Sequence, residues 1–110
     1  MGVLRALFDT EGDMRRKCPR AWAAGAEFAI GILSDIETGE IDADEAGLPG
    51  FPRSEEGIEP WMEALSNALD NDALIADLYA RGTLENRWDT LAFSQSCQRT
   101  LREQLRGRLY

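Results

Sequence analysis

The side chains of this sequence that carry chemistry are mostly carboxylates, and no histidine accompanies them. Twenty acidic and twelve basic residues stand in a chain of 110 residues. Histidine is the commonest general base and a common transition-metal ligand, so its absence narrows the catalytic chemistry available. The sequence also lacks phosphate-binding, nucleophile-elbow, zinc-protease and paired-cysteine motifs. We therefore expect a protein that acts by binding, without an enzyme activity, a cofactor or a metal.

The carboxylates concentrate in the middle of the chain. Residues 21–80 carry a net charge of −13, whereas residues 1–20 and 81–110 carry +2 and +3. A dense carboxylate surface attracts a basic protein partner and can imitate the phosphates of a nucleic acid. We expect nine acids to form the partner-binding surface, namely Asp35, Glu37, Glu40, Asp42, Asp44, Glu45, Glu55, Glu56 and Glu59.

The same charge pattern leaves three other interpretations open. The acids also suit a rim that only keeps the protein soluble. The basic ends can pair with the acidic middle, either within one chain or between two copies in a homodimer or scaffold. A small enzyme with paired carboxylates is the third alternative. Glu27 and Asp35 share a face of a predicted helix, but roughly 12 Å of helix separates them, which is too far to share a proton.

Calcium binding and direct nucleic-acid binding both fit the sequence poorly. A calcium loop counted from Asp42 places Gly47 correctly, but Ala46 and Arg53 occupy positions that need oxygen ligands. A nucleic-acid-binding surface is normally basic. The C-terminal arginines are the one candidate for such a patch, and Glu103 interrupts them. We therefore expect no direct contact with nucleic acid.

The two cysteines, Cys18 and Cys97, are expected to be reduced and half-buried. No secretion signal or long apolar run is present, so the sequence indicates a cytoplasmic protein that does not enter a membrane. A disulfide between the two cysteines is the alternative. Lys17 and a following helix N-terminus would lower the pKa of the Cys18 thiol, although a small residue ahead of Pro19 is the favoured interpretation.

The helix that must position the acids is predicted over residues 19–38. Pro19 suits the first turn of a helix, and Gly39 suits the left-handed residue that ends one. Gly25 and Gly31 each cost about 1 kcal/mol inside a helix, and we expect close packing to compensate at both. The apolar residues cover more than half of the circumference, so we expect burial on most sides, at Trp22, Gly25, Ala26, Ala29, Ile30, Ile32, Leu33 and Ile36.

Around that central helix the sequence predicts an all-α fold, a compact bundle of about five helices. Alternating apolar runs of the kind that form strands are nearly absent. Residues 1–110 are therefore expected to form a single helical domain, with an acidic, proline-rich loop at about residues 39–58. Apolar side chains at residues 3–8 predict a further short helix that ends near Gly12. A longer helix that continues through Met14 to Cys18 is the alternative, which Glu11 and Gly12 weaken.

The C-terminal half predicts a helical hairpin followed by one long helix. The hairpin starts near Pro60, and Gly82 ends it. The long helix is expected to start at Thr83 or Asp89 and to continue to Gly107. Its apolar residues recur every four residues, so their positions rotate gradually around the helix axis. It therefore either crosses more than one neighbour or presents its end to a partner.

In size and charge the chain resembles the small acidic single-domain inhibitors of nucleic-acid-handling complexes, such as anti-CRISPR proteins. This resemblance is one of class and rests on length and acidity, without a shared motif. It implies a nucleic-acid mimic that occupies a basic surface of a nucleic-acid-binding protein. It implies no role for any individual residue.

Overall fold

Helices account for all the regular secondary structure in the described part of the chain, which confirms the all-α prediction. The computed structural model describes the backbone of residues 10–109 and the side chains of residues 13–109. The helix predicted at residues 3–8 lies outside this part, whereas the helical backbone at Thr10–Lys17 agrees with the alternative of a helix that continues through Met14. Six α-helices follow one another, α1 Thr10–Lys17, α2 Pro19–Thr38, α3 Ala43–Ala46, α4 Ile58–Ala68, α5 Asn71–Ala80 and α6 Arg87–Gly107, with a 3-10 turn at Glu55–Gly57.

The central helix α2 has the bounds that its terminal residues predict. Pro19 lies in its first turn, where a missing backbone N–H costs nothing. Gly39 follows it with a left-handed φ of 85° and donates its N–H to the carbonyl of Ile36. Local chemistry therefore sets both ends of this helix.

The longest packing contact joins α2 to α6. The Ser96 hydroxyl contacts the Trp22 carbonyl near one end, and Arg108 contacts Glu37 near the other. These contacts advance in the same direction along both helices, so the two run parallel. At Gly25 an added Cβ would overlap the Phe93 carbonyl oxygen, which confirms the close approach predicted there.

Two apolar clusters lie along this helix pair, one at each end. The partly buried side chain of Phe28 packs against both. The cluster near the start of α2 comprises Met14, Cys18, Ala21, Trp22, Leu78, Leu84, Ala92 and Phe93. The cluster toward its end comprises Ala29, Ile32, Leu33, Leu48, Ile58, Trp61, Met62, Leu65, Leu101 and Leu105.

The prediction that α2 is buried on most of its circumference is wrong. Ile30 is 50% exposed. The close packing predicted at Gly31 is also wrong, because an added Cβ there would meet nothing within 4 Å. The described chain measures 43 × 36 × 19 Å. A thickness of 19 Å fits about two helix layers, since one helix with its side chains is about 10 Å across. Each helix in a two-layer molecule therefore keeps an outer face.

The prediction that the long helix α6 crosses more than one neighbouring helix is confirmed. It packs against α1, α2 and α4 in turn. Its start differs from both predicted positions, because Asn86 caps it and the helix begins at Arg87. The Asn86 side chain accepts hydrogen bonds from the backbone N–H groups of Trp88 and Asp89, which is the usual role of an N-cap.

The loop between α3 and α4 is fastened to α4 by one aromatic side chain. The indole N–H of Trp61 donates to the Pro49 carbonyl at 3.1 Å, and the Phe51 ring stacks on Trp61 at 5.2 Å. Leu48 in the same loop is buried. None of the helices in the described part of the chain combines the length and the apolarity needed to cross a bilayer.

Candidate functional site

Three of the nine acids predicted to bind a partner form ion pairs with arginines in the last turns of α6 or directly after it. Arg102 pairs with Glu59, and Arg106 pairs with Glu55 at 2.6 Å. Arg108 pairs with Glu37, and its Nε donates to that carboxylate at 3.1 Å. The basic end of the chain therefore meets its acidic middle within one molecule, as one of the sequence-based alternatives predicts.

These ion pairs lie at the surface and fasten α6 to neighbouring elements. The Glu59 carboxylate accepts hydrogen bonds from the Arg102 guanidinium, which lowers the pKa of that carboxyl below its usual value. Arg108 also places a cation near the C-terminal end of α2, where the helix dipole favours one. Exposed pairs of this kind contribute little to stability because water and salt screen them, so their main effect is to neutralise charge locally.

The structure brings five of the remaining acids together and leaves them without a basic partner among the described residues. The backbone N–H of Ile41 donates to the Asp35 carbonyl at 3.0 Å, which folds the loop back onto the end of α2. Asp42 caps α3 through the N–H groups of Asp44 and Glu45, at 3.0 and 3.3 Å. We call this group the acidic patch, and its exposed members are Asp35, Glu40, Asp42, Asp44 and Glu45.

Glu56, the ninth predicted acid, is exposed in the 3-10 turn before α4. Among the described residues no contact joins it to the acidic patch, and no ion pair holds it. The structure thus divides the nine acids into three that are paired within the chain, five that form one patch, and Glu56.

The two cysteines remain separate thiols in the structure. Burial raises the pKa of the Cys18 thiol, and a hydrogen bond with the Asp89 carboxylate raises it further. The alternative that the Cys18 thiol has a lowered pKa is therefore wrong. Lys17 does lower this pKa, but its effect is the smallest of those acting on the thiol. Burial raises the pKa of Cys97 to about 11. Neither thiol has the lowered pKa of a nucleophilic cysteine.

A groove of about 540 Å³ lies between α4, α5 and α6. Its inner wall includes the rings of Phe28 and Phe93, whose centroids are 5.8 Å apart. Met62 and Leu101 are among its other apolar walls. Grooves of this volume with mainly apolar walls are typical of binding sites.

A second opening of about 360 Å³ lies on the other side of the same side chains. Phe28, Leu69 and Leu74 line both openings, so these three residues separate them. Asp35 of the acidic patch lines the second opening. The apolar grooves and the acidic patch are therefore neighbours on the surface.

Sequence reasoning missed the groove, although one signal pointed to it. The hairpin helix α5 has little amphipathic character, and of its ten residues, all described, only Leu78 is buried. A helix that buries so little cannot fill the space beside it. The groove exists because of the distance between α4 and α6, and no pattern of neighbouring residues in the sequence indicates that distance.

In residues 13–109, no cluster of three or more Cys, Asp or Glu side chains has the geometry to hold a metal ion. Comparison of the chain with protein-family models, with curated proteins and with solved structures gives no match in any of the three. Function is therefore inferred from the side chains of this chain alone.

Proposed function

We propose that this protein is a non-enzymatic interaction protein that uses its acidic patch to bind a basic surface of another protein. One observation carries the proposal. The ion pairs of α6 neutralise Glu37, Glu55 and Glu59 within the chain, whereas the acidic patch keeps its charge exposed. Such a patch attracts a cationic partner over about 8 Å at physiological ionic strength and raises the rate of association.

The ion pairs also occupy the basic end of the chain, which a second copy would otherwise offer to the acidic patch. A homodimer held by charge needs a free basic surface to meet the acidic patch. Arg106 and Arg108 already contact carboxylates of their own chain. The same pairing weakens the case for α6 as a nucleic-acid-binding surface, since its arginines face carboxylates. A homo-oligomeric scaffold remains the alternative proposal.

The specific form that we propose is an inhibitor or regulator of a nucleic-acid-handling complex. Proteins that bind nucleic acid present basic grooves to phosphates, and closely spaced exposed carboxylates imitate that phosphate charge. In the acidic patch, Asp42, Asp44 and Glu45 lie within one helical turn, and the α3 cap fixes its backbone. A fixed spacing of charges favours recognition because little side-chain or loop ordering remains to be lost on binding.

The test is capture of binding partners by the immobilised protein, followed by mass spectrometry, with a charge-reversed variant beside it. Asp44→Lys with Glu45→Lys removes the charge and leaves the Asp42 cap in place. Reversing Asp42 as well would mix the loss of a helix cap, about 1 kcal/mol, with the loss of charge. We expect the double variant to lose the partner and to keep its helical circular dichroism.

The matched control is Glu27→Lys with Glu85→Lys, which changes the net charge equally at exposed positions outside the acidic patch. The control is expected to retain the partner. Equal loss in both variants would show that only net charge matters, and equal retention in both would contradict the proposal.

A further inference from the structure

The groove between α4 and α6 is elongated, and both of its long walls follow helical spacing. On α6, lining residues recur at intervals of three and four from Thr90 through Ser94, Cys97 and Leu101. A wall from Thr90 to Arg102 extends roughly 18 Å at 1.5 Å per residue. These residues occupy one continuous stripe of the helix.

The opposite wall has the same character. On α4 and its C-terminal cap, lining residues recur at Glu59, Met62, Ser66 and Leu69. This stripe extends roughly 15 Å. Stripes of side chains at three- and four-residue spacing form the ridges and grooves into which another helix packs. Each wall is therefore about three helical turns long, which suits a docked helix of similar length.

The third side of the groove is the one that can move. The helix α5 contributes Asn71, Leu74 and Ile75 to the lining. Its one buried residue is Leu78, and a hydrogen bond between the Tyr79 and Thr90 hydroxyls also joins it to α6. Gly82, with a φ of 76°, follows its end. An element with few buried contacts opens at low free-energy cost, so α5 can adjust to an occupant between α4 and α6.

The charged side chains at the two openings indicate the charge that a docked helix should carry. Glu59 and Glu63 line the first opening, and Asp35 and Asp70 line the second. Arg102 is the one cation among the described lining residues, and it pairs with Glu59. An apolar floor with a mainly carboxylate rim complements a helix that has an apolar face flanked by lysine or arginine.

We infer that the groove docks an amphipathic, basic α-helix of the partner protein. Its apolar side chains, at intervals of three and four residues, contact Phe28, Phe93 and Leu101. Its basic flank faces the rim carboxylates, of which Glu63 is exposed. This inference rests on the proposed function and names the structural element by which a basic partner is held, with the acidic patch extending the contact beyond the helix.

The probe that tests this is a fluorescent synthetic peptide of about 18 residues, long enough to form a helix. It carries leucine at i, i+3, i+4 and i+7 positions and lysine on its other face. A peptide of the same composition in scrambled order is the first control. We expect saturable binding of the patterned peptide to the full chain by fluorescence anisotropy, weaker at high salt, and at least about tenfold weaker binding of the scrambled peptide.

The variant Ser94→Trp fills the groove from an exposed position, so folding is retained. Ser34→Trp is its matched control, because Ser34 is exposed on α2 and lines neither opening. Circular dichroism verifies that both variants fold. We expect Ser94→Trp to weaken binding of the patterned peptide about tenfold or more and Ser34→Trp to leave it unchanged.

Equal binding of the two peptides would overturn the inference, because charge alone would then account for the interaction. Unchanged binding by Ser94→Trp would also overturn it. A dimer in sedimentation experiments that Ser94→Trp dissociates would show that the occupant is a second copy, which is likewise contrary. If Ser94→Trp still captures the natural partner and the Asp44→Lys, Glu45→Lys variant does not, the groove inference fails while the proposed function stands.

Discussion

The Ser96 hydroxyl donates a 2.6 Å hydrogen bond to the backbone carbonyl of Trp22, and this bond joins the two longest helices at their closest approach. Both partners are buried and lie 74 residues apart in the chain. The bond forms because Gly25, one turn along α2, has no side chain to hold α6 away. The architecture therefore depends on a single missing Cβ.

Replacing Gly25 with alanine is expected to destabilise the protein. The new Cβ would overlap the Phe93 carbonyl oxygen and lie 2.9 Å from the Ser96 Cβ, and a backbone atom cannot move aside alone. Overpacking of this kind costs about 1–3 kcal/mol, and the urea-unfolding midpoint measures it. Gly31→Ala is the matched control, since its Cβ meets nothing within 4 Å. It should raise stability by about 0.5–1 kcal/mol, and a loss in the control equal to that at Gly25 would contradict the contact.

The ion pair between Glu59 and Arg102 predicts a dependence of stability on pH. The pKa of Glu59 is lowered in the folded protein from its ordinary value of 4.5, chiefly by hydrogen bonding to Arg102. Because the pKa of Glu59 is lower in the folded than in the unfolded protein, its ion pair stabilises the fold above pH 4.5. This stabilisation is lost as the pH falls through the pKa that Glu59 has in the folded protein. In an NMR titration, Arg102→Gln should raise the pKa of Glu59 toward 4.5.

Arg53→Gln is the control for that titration. Arg53 is an exposed loop residue that forms no ion pair with the described residues, so its loss should leave the pKa of Glu59 where it is. An equal rise in both variants would show a general effect of net charge and would contradict the role given to the hydrogen bond.

The Cys18 thiol is expected to react faster once the neighbouring carboxylate is neutralised. Asp89 stabilises the protonated thiol by a hydrogen bond and by its negative charge. Asp89→Asn should therefore lower the pKa of Cys18 toward its ordinary value, and alkylation by iodoacetamide at pH 8, followed by mass spectrometry, measures the change. Cys97 is the internal control, because burial alone raises its pKa, to about 11. Acceleration at both cysteines would indicate loosened structure and would contradict the prediction.

Several features of this protein were predictable because the signals that produce them act over a few residues. Pro19 and Gly39 bound the central helix as expected. Gly82 ends the hairpin with the left-handed backbone that glycine favours. The start of α6 was also encoded locally, in the Asn86 cap, and the two predicted starts overlooked that residue.

In the candidate site, too, some features depend on neighbouring residues and others on residues that are distant in the sequence. The acids of the patch could be grouped from the sequence, since Asp42, which caps α3, and its neighbours lie within one turn. It did not separate those acids from the three that form ion pairs, because their arginine partners lie 43, 51 and 71 residues further along the chain. The direction of α6 relative to α2 decides which carboxylates remain exposed.

The sequence by itself determined the helices, their order and the charge of the chain, because hydrogen bonding and side-chain periodicity act within a few turns. The tertiary structure alone decided which glycine permits close packing and which face of α2 remains exposed. It also decided that a groove separates α4 from α6. These properties depend on distances between helices that are remote in sequence, and side-chain packing across the whole domain sets those distances.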